Sequence, residues 1–122
     1  MKRNEARELA FKTIYSKFFN PDEEVDFSDQ DSQELEFTNK ILSEYNAHIS
    51  DINDLISSNL KGYTIERLYK IDLAIIILAI VEINYIGNPK QVAINEAVEL
   101  AKKFSTEKSP KFINGFLAQI VK

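Results

Sequence analysis

Apolar residues recur at three- and four-residue steps through most of the chain, the spacing that places them on one face of an α-helix. The first such stripe runs from Asn4 to Phe19 and stops at Asn20-Pro21, because proline disfavours helical geometry in the residue before it. Two further stripes cover residues 35–45 and 49–56, and Lys61-Gly62 follows as a helix-stop signal. The pattern therefore predicts three helices in the first half of the chain.

A long central helix is predicted next, beginning near Thr64. Its β-branched run Ile75-Ile76-Ile77 would also suit a buried strand, but Gly and Pro are absent from Tyr63 to Ile86, which is too long for a strand. Because this helix is apolar on nearly every side, it must be covered on nearly every side. Any uncovered part of four residues is a candidate contact surface: Ile76, Ile77, Ile80 and Ile83.

Two more helices are predicted after the break at Gly87-Asn88-Pro89. The first carries a stripe of small residues from Ala93 to Phe104, and the second restarts at Ser109-Pro110, an N-cap residue followed by a proline suited to the first helical turn. No segment alternates convincingly with period two. The predicted fold class is all-α, with six or seven helices in a single domain over residues 1–122.

Composition narrows the chemistry that the chain can perform. A chain of 122 residues with 44% hydrophobic and 28% charged residues is typical of one globular domain without need of disulfides. There is no cysteine, one histidine and three glycines, so thiolate chemistry, a multi-histidine zinc site and a glycine-rich phosphate loop are all excluded. We expect no enzymatic activity and no cofactor.

Charge is distributed unevenly along the chain. The formal net charge is −4, yet Asp22 to Glu36 contains eight acidic residues and no basic one. The remainder holds 15 basic against 11 acidic residues, a net charge of +4. The acidic run is interpreted as a solvated loop over residues 21–32 that leads into the second helix. Asp22 to Asp31 is expected to tolerate deletion better than any helix of equal length. The alternative is that the acidic run competes with RNA for the basic remainder.

Neither a membrane helix nor a secretion signal is predicted. The longest apolar run, Leu73 to Val81, has nine residues, about half of what a bilayer span requires. Asn4, Glu5 and Arg7 stand where a signal peptide needs an apolar stretch. We expect a cytoplasmic protein with no membrane partner.

The C-terminal third carries the most specific motif. Val92 to Phe104 reads VAINEAVELAKKF and Lys111 to Leu117 reads KFINGFL. Both segments resemble the signature of the NusB family of bacterial transcription antitermination factors. Further similar positions are Ala6-Arg7-Glu8 with Tyr15 in the first helix, and Asp72, Leu78-Ala79 and Glu82 in the central helix.

This resemblance implies two helical subdomains and a binding role without catalysis. Family members bind the boxA element of ribosomal RNA leaders as a heterodimer with the ribosomal protein NusE, within the RNA polymerase antitermination complex, and some form homodimers. Single-stranded RNA requires cations for its phosphates and flat side chains for its unstacked bases. The RNA-binding residues implied are Lys2, Arg3, Arg7, Lys102, Lys108, Lys111 and Phe112, with Lys12 and Lys103 as further cations. The NusE-binding residues implied are Tyr15, Asp72 and Glu82, of which Asp72 is expected to point outward.

The chain departs from the family pattern at several positions. Asn4 and Glu5 interrupt the N-terminal arginine cluster, Ile77 replaces an arginine of the central helix, and Lys108 stands at a commonly acidic position. These departures predict that RNA affinity is reduced, or that part of the RNA contact is made instead by Lys102, Lys103, Lys108 and Lys111. The alternative function is a protein-interaction or homodimeric module with this fold and weakened RNA binding.

Four residues or motifs have other interpretations. Phe112 would by itself be a core aromatic, and Gly115 is interpreted as a site of close helix packing. Ser58 to Lys61 and Ser105 to Lys108 match S-x-x-K without the accompanying elements of the enzymes that use it. His48 and Asp51 supply two metal ligands at most, which leaves a metal site incomplete.

Overall fold

The computed structural model describes residues 2–22 and 32–121, with only the backbone for Lys2 and residues 32–34. Within these ranges the chain forms five α-helices and no strand, which confirms the all-α prediction. A 3-10 turn precedes α3 and a π-helical turn follows it. In chain order the elements are α1 (Lys2–Lys17), α2 (Ser32–Asn59), the 3-10 turn (Ile65–Arg67), α3 (Lys70–Ile80), the π turn (Val81–Ile86), α4 (Lys90–Phe104) and α5 (Ser109–Ile120).

The helices number five, against the expected six or seven, when both halves of α2 are counted as one helix. The stripes at 35–45 and 49–56 correspond to two helical segments of α2 that meet at a kink, where His48 leaves helical geometry (φ −127°, ψ 21°). The central helix also begins later than predicted. Thr64 precedes the 3-10 turn, and extended backbone at Leu68 separates that turn from α3.

Helix α3 lies at the centre of the molecule. Helices α1 and α2 pack on each other, as do α4 and α5, and all four contact α3, in agreement with two helical subdomains. Every residue from Asp72 to Glu82 is buried. The neighbouring helices cover Ile76, Ile77 and Ile80, as predicted for a helix that is apolar on nearly every side, so none of the three offers a contact surface. Ile83 is half-buried.

The breaks between elements lie where the sequence placed them. Gly87 ends the π turn with a φ of 87°, a left-handed conformation that glycine adopts without steric cost. Ser109 begins α5 with Pro110 in its first turn. Most of the acidic segment, residues 23–31, lies outside the described residues, so its loop character and tolerance of deletion stay predictions. None of the helices described is long and apolar enough to cross a membrane.

Candidate nucleic-acid interface

A cleft of about 500 Å³ opens between the segment that precedes α3 and the junction of α4 with α5. We call it the junction cleft. The break after Phe104 and the helix start at Ser109-Pro110 bring the start of α5 beside the start of α3. The lining residues are Tyr63, Arg67, Leu68, Tyr69, Asp72, Thr106, Glu107, Lys108, Ser109 and Phe112.

The junction cleft combines aromatic rings with cations. Tyr69 is 65% exposed, and the half-buried Phe112 stacks on Phe116 with ring centroids 5.7 Å apart. The cations are Arg67 and Lys108, and the exposed Lys111 precedes Phe112 on α5. Among the described residues, no carboxylate lies within ion-pair distance of Arg67, Lys108 or Lys111. This combination suits phosphates and unstacked bases.

No RNA contact is predicted from the sequence for Tyr63, Arg67 or Tyr69 of this cleft. Arg67 follows Thr64, where the central helix is predicted to begin, and the two tyrosines belong to no apolar stripe. The available signal was a pair of tyrosines flanking an arginine just before a strongly apolar helix. Only the folded chain brings this segment beside Phe112.

Asp72 lies at the buried edge of the junction cleft and is only 5% exposed. Ser105 Oγ donates a hydrogen bond to Asp72 Oδ1 at 2.5 Å, and Ser109 Oγ donates one to Oδ2 at 3.0 Å. The expectation that Asp72 points outward is therefore wrong. The reason is that the α4–α5 junction folds over this carboxylate and supplies the hydroxyl donors that a buried charge needs. A direct NusE contact by Asp72 stays a prediction.

At the N-terminal end of α1, Arg7 and Glu82 form a buried ion pair. Arg7 Nε lies 2.9 Å from Glu82 Oε1 and 3.0 Å from Oε2, and the residues are 6% and 1% exposed. Asn88 Nδ2 donates a further hydrogen bond to Glu82 Oε1 at 2.9 Å. Burial raises the pKa of the Glu82 carboxyl above its ordinary value, and the Arg7 charge and the Asn88 hydrogen bond offset this only in part. The pair uses the Arg7 Nε–H, and Arg7 Nη1 donates a hydrogen bond to Asn4 Oδ1 at 3.3 Å. Contact of Arg7 with RNA and contact of Glu82 with NusE stay predictions.

Arg3 is exposed one turn earlier on α1, with its guanidinium carbon 4.0 Å from the ring centroid of Phe37. The side chain of Lys2 lies outside the described residues. Farther along α1, Lys12 is exposed, pairs with Glu8 at 3.2 Å and lies 5.3 Å from the Phe104 ring centroid. The described N-terminal cations thus share helix α1 but differ in their contacts: Arg3 lies over an aromatic ring, Arg7 is in a buried ion pair and Lys12 is in an exposed one.

Two exposed lysines near the end of α4 line a second cleft, together with Asn4, Arg7 and Glu8 of α1. Lys102 Nζ pairs with Glu99 at 3.1 Å, and Lys103 Nζ pairs with Glu8 at 2.6 Å. The hydrogen bond from Lys103 holds the pKa of the Glu8 carboxyl below its ordinary value. Exposed pairs of this kind contribute little to stability, so either lysine can exchange its partner for a phosphate at small cost.

An aromatic patch, formed by Tyr15, Phe18 and Phe19, lies at the C-terminal end of α1. Tyr15 is half-buried and makes edge contacts with Phe18 and Phe19, with ring centroids 6.4 and 5.2 Å apart. Phe19 is 58% exposed. The NusE-binding role implied for Tyr15 therefore concerns a surface that offers accessible rings.

The serines of the two S-x-x-K motifs and His48 make contacts that are common for structural residues. Ser58 Oγ donates to the Leu55 carbonyl at 3.1 Å, and Ser105 Oγ donates to Asp72. His48 stacks on Tyr85 with centroids 3.9 Å apart, and its Nδ1 lies 4.0 Å from Asp51. Across residues 2–22 and 32–121, no three histidine or acidic side chains come together in a group that could hold a metal ion.

Comparison with known proteins gives one family. The family model that matches is described as the NusB family and covers residues 4–122. The transcription antitermination protein NusB of Finegoldia magna is 38% identical over 100% of this chain and 95% of its own length. That of Pediococcus pentosaceus is 40% identical over 100% and 98%. The solved structure of T. maritima NusB has a TM-score of 0.88 at 31% identity, covering 97% of this chain and 89% of that one. The chain therefore belongs to the NusB family.

Proposed function

We propose that this protein is a transcription antitermination factor that binds boxA-type single-stranded RNA of ribosomal RNA leaders together with NusE. The observation that carries the proposal is the junction cleft, where Tyr69 and Phe112 lie beside Arg67 and Lys108. Membership of a family whose relatives are named transcription antitermination proteins supports the same role. The role requires binding and no catalysis.

RNA would follow a path from the junction cleft toward the N-terminus of α1. Lys108 and Lys111 would bind phosphates, and Phe112 and Tyr69 would stack on bases. Lys102 and Lys103 would continue the path along α4, and Arg3 and Lys2 would end it on α1. Arg7 supports this end from the interior through its pair with Glu82.

NusE would bind beside this path, with Tyr15 and its aromatic patch as the accessible part of the contact. Asp72 would contribute by holding the α4–α5 junction in shape through Ser105 and Ser109, and Glu82 by holding Arg7. Because the chain has a net charge of −4, a basic partner would add the cations that tight RNA binding needs. The pair should therefore bind RNA more tightly than either protein alone.

The test is a titration of fluorescent boxA RNA with the protein, alone and with NusE, against an RNA of the same composition in scrambled order. The double variant Lys108→Gln/Lys111→Gln should weaken binding by about tenfold or more, since each lost phosphate contact removes part of the counterion-release term. The matched control is Lys90→Gln, an exposed lysine at the opposite end of α4, which should change little.

Absence of RNA binding with and without NusE would contradict the proposal and favour the alternative, a protein-interaction or homodimeric module. Sedimentation of the protein alone and mixed with NusE would then decide between those two forms of the alternative. Binding that the scrambled RNA equals would remove boxA specificity while leaving RNA binding in place.

A further inference from the structure

Two arginines of α1 share one aromatic ring of α2. The guanidinium carbon of Arg3 lies 4.0 Å from the ring centroid of Phe37, and that of Arg7 lies 5.6 Å from it. A cation within about 6 Å of a ring centroid is attracted by the negative face of the ring. Phe37 itself is only 8% exposed and belongs to the hydrophobic core. Its ring is therefore held by packing and offers a fixed platform.

The two arginines use this platform differently. Arg7 is buried and bound in place by both carboxylate oxygens of Glu82. Arg3 is exposed in the first turn of α1 and lies at the wall of a cleft of about 490 Å³ that Phe37 and Lys40 also line. Phe37 thus restrains a cation that faces solvent.

Stacking on Phe37 is compatible with a phosphate contact by Arg3. The guanidinium carbon is 4.0 Å from the ring centroid, close enough for the flat face of the guanidinium to stack on the ring. In that arrangement the five N–H donors, which lie in the guanidinium plane, stay at its edge. A long exposed side chain normally loses much rotamer freedom when it binds a ligand. The contact with Phe37 restricts Arg3 before RNA arrives, so that less of this loss accompanies binding.

We propose that Phe37 is a positioning residue for RNA binding, which holds the Arg3 guanidinium flat against α2 so that its N–H edge meets a phosphate. This inference rests on the proposed function, because it takes Arg3 to be an RNA contact. Phe37 touches no RNA itself and acts through Arg3.

A double-mutant cycle with boxA RNA, in the presence of NusE, tests the proposal. Phe37→Leu should weaken binding by about threefold to tenfold, the range of one cation–π contact. Phe37→Tyr keeps an aromatic face and should retain the affinity. Arg3→Gln should weaken binding at least as much as Phe37→Leu, and the double variant Arg3→Gln/Phe37→Leu should bind no more weakly than Arg3→Gln alone.

The matched control is Tyr45→Leu. Tyr45 is also a buried aromatic residue of α2, but in the described part of the chain no arginine or lysine lies over its ring. It should lose stability without losing RNA affinity. If Phe37→Leu does not fold, as judged by circular dichroism, Phe37→Met replaces it in the cycle.

A second readout does not depend on RNA. The Nε–H signal of Arg3 in a nitrogen–proton correlation spectrum should show an upfield ring-current shift that persists in Phe37→Tyr and disappears in Phe37→Leu. An unshifted signal in the wild-type protein overturns the proposal. So does wild-type RNA affinity in Phe37→Leu, or effects of the two single variants that simply add. If wild-type protein binds no RNA at all, with or without NusE, the proposed function itself fails and takes this inference with it.

Discussion

Arg7 and Glu82 lie 75 positions apart in the chain and meet in the interior between α1 and the π turn. The family resemblance assigns Arg7 to RNA binding and Glu82 to NusE binding, whereas in the folded chain the two side chains form an ion pair with each other. The net contribution of a buried ion pair to stability is small, but removal of one member lowers stability strongly. A single buried charge left behind is strongly unfavourable.

Arg7→Met should therefore lower the free energy of unfolding by about 3 kcal/mol or more, because the Glu82 carboxylate stays buried without its partner. The double variant Arg7→Met/Glu82→Leu should recover a large part of this loss, since it removes both charges. Urea unfolding followed by circular dichroism measures both. A double variant as unstable as the sum of its single variants would contradict the pairing.

Glu82 and Glu8 should titrate on opposite sides of the ordinary glutamate value of 4.5. Burial raises the pKa of Glu82, so the folded chain holds that proton more tightly than the unfolded chain, and this group's contribution to stability falls as pH rises through the window above 4.5. Lys103 lowers the pKa of Glu8, whose contribution is present above 4.5 and lost as pH falls through its lowered pKa. Carbon-detected NMR titration of the side-chain carboxyls checks both directions, and equal midpoints would contradict them.

Asp72 should respond to substitution as a buried residue. Asp72→Lys places an ammonium group where Ser105 and Ser109 now donate to a carboxylate, so we expect a loss of about 3 kcal/mol or more in the free energy of unfolding. Asp72→Asn keeps the shape and one acceptor and should cost about 1 kcal/mol. Thermal and urea melts measure the difference. A fully stable Asp72→Lys variant would show that this side chain can turn to solvent.

Among the elements, α2 shows how two helical segments meet at a kink. Its two apolar stripes are separated at His48, where the backbone leaves helical geometry although no proline or glycine is present. The His48 ring instead lies flat on Tyr85 of the π turn, with an interplanar angle of 10°. The bend lets both halves of α2 pack against the same centre.

Two glycines, one inside a helix and one at a break between helices, should respond oppositely to replacement by alanine. A Cβ built on Gly115, within α5, would meet nothing within 4 Å, so the interpretation of close packing at this position is wrong. Gly115→Ala should stabilise the protein by about 0.5–1 kcal/mol, because alanine is the better helix residue. Gly87→Ala should destabilise it by about 1 kcal/mol or more, since its φ of 87° suits glycine. Thermal melts of both variants give the comparison, and a lower melting temperature for Gly115→Ala would contradict it.

For the whole molecule, the balance of charge governs the response of RNA binding to salt. Along the proposed path, Lys102 and Lys103 already have carboxylate partners, whereas Arg67, Lys108 and Lys111 have none among the residues described. If the protein alone neutralises about three phosphates, the logarithm of its RNA affinity should fall with the logarithm of salt concentration at a slope near −2. Lys108→Gln should flatten this slope by about 0.7, one phosphate's share for single strands. An unchanged slope and affinity would remove Lys108 from the site.

The all-α class, the breaks at Gly62 and Gly87 and the start of α5 were readable from sequence, because the helical period and the preferences of Gly and Pro act over a few residues. The family was readable from Val92 to Leu117, because an ordered motif of that length is specific. Both are local or linear properties of the chain.

Only the tertiary structure decided which charged residues are buried and which lie at the surface. Arg7 meets Glu82, Asp72 meets Ser105 and Ser109, and the segment Tyr63–Tyr69 meets Phe112 only after α1, α4 and α5 have packed on α3. A polar residue bordering an apolar run looks the same in sequence whether water or a hydroxyl group will face it. Its partner comes from a distant element, and the free energy that selects the pairing is the burial of the apolar faces around it.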